Sequence, residues 1–90
     1  MEEKPKAAAA LSYNAEKDAA PKIIAAGRGY LAELIEKLAR ETGVPVYHNP
    51  ELAFTLTGLG LDQEIPPTLY RAVAEIIAWV YNLERKVAGR

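Results

Sequence analysis

The stretch 66–87, PPTLYRAVAEIIAWVYNLERKV, constrains this chain most, because it alone is apolar enough and long enough to be the spine of a small core. Pro66 and Pro67 suit the boundary and first turn of a helix, where a missing N–H has no partner to lose. Leu69, Val73, Ile76, Val80, Leu83 and Val87 recur at alternating spacings of four and three, and Tyr70, Ala74, Ile77 and Tyr81 form a second row beside them. Arg71, Glu75, Asn82 and Glu84 are left for the wet side. That narrow polar side predicts a helix packed on two faces, and the short, double-width stripe favours a core helix over a coiled coil.

A chain of 90 residues, half of them apolar, supports one compact unit near the lower size for folding without staples. Cysteine is absent, which excludes disulfides and thiolate-bound metal. The 11 basic and 12 acidic residues are interspersed, with a net charge of −1, so nothing points to a nucleic-acid surface or to electrostatic attraction to a membrane. The longest apolar run, 72–81, falls well short of the roughly twenty residues that span a bilayer. MEEKPK followed by AAAAL lacks the form of a signal peptide. A cytosolic chain is expected.

Along the sequence, residues 1–6 read as a flexible tail and 7–88 as a single domain. Residues 7–13 and 22–26 read as strands joined by a polar connection, with Ala19-Ala20-Pro21 kept extended by the proline. Gly27-Arg28-Gly29 closes the second strand, its glycines read as suppliers of positive φ. Residues 30–42 form a helix with Leu31, Leu34, Ile35, Leu38 and Ala39 on one stripe, Glu33/Lys37 and Glu36/Arg40 spaced i, i+4 on the wet face, and Gly43 and Pro45 ending it. Residues 44–47 are predicted as a third strand, parallel to the second through a right-handed crossover. Asn49-Pro50-Glu51 reads as N-cap, N1 proline and acidic first turn of a short helix, broken by Gly58 and Gly60. The expected fold is therefore α/β: a small mixed sheet of three or four strands packed by about three helices, the last one long.

No catalytic constellation emerges. Gly27-Arg28-Gly29 lacks the third glycine of a dinucleotide fingerprint and the Gly-Lys-Ser/Thr ending of a P-loop. His48, the single histidine, has no cysteine or second histidine with which to share a metal, and reads as a partly exposed residue at a strand end. Ser12 reads as a strand residue, and the glutamates as solvated charges. Trp79 and Tyr81 read as core and core edge. No enzyme activity, cofactor or metal is expected.

Three stretches, ALSYNAEKDAAPKIIAAGRG, VPVYHNPELA and GLDQEIPPTLYRAVAEIIAWVYNL, follow one another in a recognisable order. Together they resemble the cytoplasmic C-terminal domain of the FlhB/YscU family, the export-switch proteins of flagellar and virulence type III secretion. The resemblance implies an α/β domain with helices around a small sheet. Members of that family carry a membrane domain and an Asn-Pro-Thr-His loop before the first strand, where asparagine cyclisation cuts the chain. The corresponding place here reads Glu3-Lys4-Pro5-Lys6, so no self-cleavage is expected, and Asn49-Pro50 lies elsewhere as a helix cap.

By this resemblance the chain is a stand-alone homologue of the domain, cytoplasmic and peripheral to the export gate, without membrane insertion of its own. It would bind flagellar or type III export substrates or export-gate proteins. A family patch for early export substrates falls on Ala20, Pro21, Ala74 and Ile77. The alternative is a structural fragment that complements a truncated export-switch protein in trans.

Overall fold

The computed structural model describes residues 5–14, 16–18 and 20–88, with side chains as far as Lys86. Most of the expected N-terminal tail, Ala15, Ala19, the side chain of Val87 and the last two residues lie outside the described residues. The elements are β1 (Ala7–Ser12), β2 (Lys22–Arg28), α1 (Tyr30–Thr42), α2 (Pro50–Leu56), a 3-10 turn at Pro67–Leu69 and α3 (Tyr70–Ala88). The α/β class and the long last helix are as expected. The strand count is lower: the sheet is a two-stranded antiparallel ribbon, β1 against β2.

The ribbon is lined by very small residues, and that decides how it packs. Ala8 pairs with Gly27 on the face that carries α1, where a Cβ built on Gly27 would meet the Leu31 Cβ at 2.5 Å. Gly27 is thus required by close approach. Of the glycine pair, Gly29 alone supplies positive φ, 63° at the start of α1, and its N–H donates to the Lys6 carbonyl at 2.7 Å. Lys6, expected in the tail, also pairs through its ammonium with Glu36 at 2.9 Å.

On the opposite face Ala9, Leu11 and Ala26 pack against a core of Ile23, Leu52, Leu56, Ile65 and Val73, drawn from β2, α2, the loop before the 3-10 turn, and α3. A bulge makes this possible. The register runs Ala10 to Ala25 and then Leu11 to Ile23, leaving Ile24 without a partner. The extra residue shifts the side-chain alternation by one, so Ile23 is fully buried beside Ala26 while Ile24 is 53% exposed.

Residues 44–47 do not form the expected third strand, and the parallel crossover goes with it. The donors explain why: the Val44 N–H closes α1 by donating to the Ala39 carbonyl at 2.8 Å beside Gly43 at φ 80°, and Pro45 has none to give. The free edge of β2 is taken instead by the loop after α2. Asp62 N–H donates to the Ile23 carbonyl at 2.7 Å, Ile23 N–H to Gln63 at 3.3 Å, and Ile65 N–H to Pro21 at 3.0 Å. Lys22 and Glu64 form a lone antiparallel bridge there.

The two-faced packing expected of α3 is also corrected. Val73 is buried and Leu69, Ile76, Ile77, Val80 and Leu83 are half-buried, but Tyr70, Ala74 and Tyr81 of the second row are exposed. So small a chain has too little left over to wrap a helix of 19 residues. The α1 stripe behaves alike: Ala32 is buried and Ile35 and Ala39 half-buried, whereas Leu31, Leu34 and Leu38 keep much of their side chains exposed. Replacing Gly27 with alanine should push α1 off the ribbon and cost about 1–3 kcal/mol. In urea denaturation this appears as a lower midpoint with an unchanged slope.

Candidate functional site

The residues that could carry chemistry are dispersed or committed to structure. Arg28 lies with its guanidinium 3.9 Å from the centre of the Phe54 ring and donates from Nε to Thr57 Oγ1 at 2.6 Å, tying the end of β2 to the end of α2. His48 is exposed in the connection between α1 and α2, and not at a strand end. Asn49 is the N-cap of α2, its Oδ1 accepting the Leu52 N–H at 3.1 Å, with Pro50 following. Among the described residues no group of three or more His, Asp or Glu is placed to hold a metal. Trp79 is half-buried and meets Tyr47 edge-on, with ring centres 5.2 Å apart, while Tyr81 is 61% exposed with Arg85 near its ring and so lies outside the core edge.

What the fold does build is an apolar groove of about 200 Å³, open to solvent, where α3 passes the start of β2. Pro21 delivers one wall. Its carbonyl is held by Ile65 N–H, and two residues on, both the N–H and the C=O of Ile23 are bonded to the loop 62–65, which positions Pro21 at the start of β2. Helix α3 supplies the other wall, with Val73, Ala74 and Ile77 one turn apart on one side. Ala20, Pro21, Ala74 and Ile77 all line this groove, although more than fifty positions separate the two pairs in the chain.

The four are not equivalent. Ala20 and Pro21 on their wall are buried, whereas on the helix wall Ile77 is half-buried and Ala74 exposed, so a visitor would touch chiefly the helix side. Tyr13 and Tyr70, each more than two-fifths exposed, flank the opening, and Val73 closes its depth. These three belong to the groove too. Tyr70 and Val73 were legible only as core positions, and Tyr13 as the end of a strand. The available signal was chemical: a tyrosine suits a rim, with its ring on apolar neighbours and its hydroxyl in water.

Comparison with known proteins places this geometry in a lineage. The family model described as the FlhB HrpN YscU SpaS Family matches residues 5–80. The uncharacterized protein YlqH of Bacillus subtilis (strain 168) is 40% identical over 83 residues, spanning 92% of this chain and 89% of YlqH. The flagellar biosynthetic protein FlhB of Aquifex aeolicus (strain VF5) is 46% identical over 81 residues, which are 89% of this chain but 23% of that protein. The chain therefore spans nearly all of YlqH and less than a quarter of this FlhB. Among solved structures, the cytoplasmic domain of FlhB from Shewanella putrefaciens superposes with a TM-score of 0.85 at 36% identity, covering 94% of this chain and 67% of that one.

Proposed function

Because the chain belongs to the FlhB HrpN YscU SpaS family, we propose that it serves flagellar or type III protein export as a non-enzymatic binding module, taking up an apolar segment of an export substrate or of an export-gate protein in the groove between Pro21 and α3. The observation that carries this reading is the convergence of Ala20, Pro21, Ala74 and Ile77 on one solvent-open apolar surface. A groove of this size holds one or two side chains, each contributing about 1.5–3 kcal/mol when fully buried. Such binding is weak and quickly reversed, which suits a subunit that must be handed on. Residues 7–88 act as one unit in this reading, in the cytoplasm and peripheral to the export gate. Its support there is the likeness to a cytoplasmic domain of FlhB; among the described residues no helix is long and apolar enough to cross a membrane.

Self-cleavage is absent from the proposed function. The only Asn-Pro pair is 49–50, and the Asn49 side chain is engaged in capping α2. Its Oδ1 accepts the Leu52 N–H and its carbonyl accepts the Ala53 N–H at 2.9 Å, so the residue is tied into the start of α2 at both groups.

Two measurements test these points. Ala74→Asp puts a charge on the exposed helix wall of the groove without touching the core, and should weaken binding of the N-terminal segment of an early export subunit about tenfold or more. Ile77→Asp should do the same wherever circular dichroism shows it folded; unchanged affinity in either folded variant removes the groove from the function. Separately, the purified chain held for days at neutral pH should keep its intact mass, and a pair of fragments split between Asn49 and Pro50 would contradict the non-cleaving reading.

A further inference from the structure

The exposed second row of α3 begins inside the groove and runs on beyond it. Tyr70, Val73, Ala74 and Ile77 line the groove. At i, i+3, i+4 and i+7 they are the four corners of the hollow that a helix offers to a side chain of a neighbouring helix. One turn further on, Ala74, Ile77, Ala78 and Tyr81 repeat the pattern outside the groove, with Ala74, Ala78 and Tyr81 exposed and Ile77 half-buried. None of these six residues is charged. The 3-10 turn before Tyr70, and Asn82 with Arg85 after Tyr81, end the run, so this row presents two apolar hollows in succession.

The main chain beside the groove limits what can fill it. Pro21 has no N–H, and its carbonyl accepts from Ile65. Both groups of Ile23 are bonded to the loop 62–65, and Lys22 between them is paired with Ser12 of β1. Neither side of the stretch 21–23 keeps a row of free donors and acceptors to which an extended segment could add as a strand. An extended segment buried against it would leave its own N–H and C=O groups without partners, which is unfavourable. A helix bonds its own backbone and brings only side chains.

We infer that the occupant of the groove is an amphipathic helix of the export partner, lying along α3 with one apolar side chain in each hollow. This rests on the proposed role of the groove and extends the contact surface to Ala78 and Tyr81. Alanine at 74 and 78 lets the two helix backbones come close. Arg71, Glu75 and Asn82, all exposed, border the row on its open side and meet the polar face of the visitor. From Tyr70 to Tyr81 the row is about 16 Å long, which about eleven residues of visiting helix cover. A helix that short is marginal in water by itself, so the partner segment gains its helix on binding.

The test is an NMR titration of the full 90-residue chain with the N-terminal segment of an early flagellar export subunit, labelled with carbon-13. The expected result is helical Cα shifts over about three turns of the segment, appearing only on binding, together with amide shifts at Ala78 and Tyr81. Ala78→Asp should weaken binding about tenfold or more. Tyr81→Ser, which leaves the lining of the groove untouched, should weaken it in the same direction. A bound segment with extended Cα shifts overturns the inference. So does binding that Ala74→Asp weakens but that Ala78→Asp and Tyr81→Ser both leave unchanged, and either result leaves the role of the groove standing. A segment that does not bind at millimolar concentration, or that binds the Ala74→Asp variant as well as the parent chain, overturns both.

Discussion

Two strands alone are not stable in water, so the ribbon of this protein depends on the helices that lie on its two faces. Those helices can come close because the ribbon is made largely of alanine and glycine. Gly27 lets α1 touch one face, and Ala9 and Ala26 leave room for Leu52, Leu56, Val73 and Ile65 to gather around Ile23 on the other. Small strand side chains contribute little apolar area themselves; their value is that they bring larger ones into contact across a thin layer. The bulge at Ile24 serves the same end, since it turns Ile23 into the core.

This arrangement explains the groove. Once Ile23 is fixed, the loop 62–65 is bonded to its backbone, and Pro21 is held by Ile65. The segment before β2 thereby becomes a rigid wall, and Val73, inserted into the core, sets α3 at a defined height beside it. Ala74 and Ile77 follow from helical geometry. The walls of the groove are thus set by packing and backbone hydrogen bonds.

The fold is legible in the sequence where chemistry acts over a few residues. The bounds of α1 and its Gly43 ending, the Asn49-Pro50 start of α2 and both ribbon strands answer to caps, prolines and periodicity within one or two turns. It is not legible where the outcome depends on distant parts of the chain. VPVY at 44–47 has strand-like side chains, but the Val44 donor is used by the helix ending and Pro45 has none, so the edge of β2 passed to Asp62–Ile65, a polar stretch with no strand pattern. Likewise the apolar second row of α3 gave no sign that it would meet solvent, because apolar periodicity records what a helix could bury and not how much chain is left to cover it. The convergence of Ala20 and Pro21 with Ala74 and Ile77 came from family resemblance alone; nothing in the spacing of these residues brings them together.

The central claim, that the groove beside α3 receives an apolar segment of an export protein, is tested most directly by chemical-shift mapping. The isotopically labelled chain would be titrated with the N-terminal segment of an early flagellar export subunit. The account predicts fast-exchange shifts concentrated at Ala20, Tyr70, Val73, Ala74 and Ile77. Shifts centred on another face, or none at millimolar peptide, would contradict it.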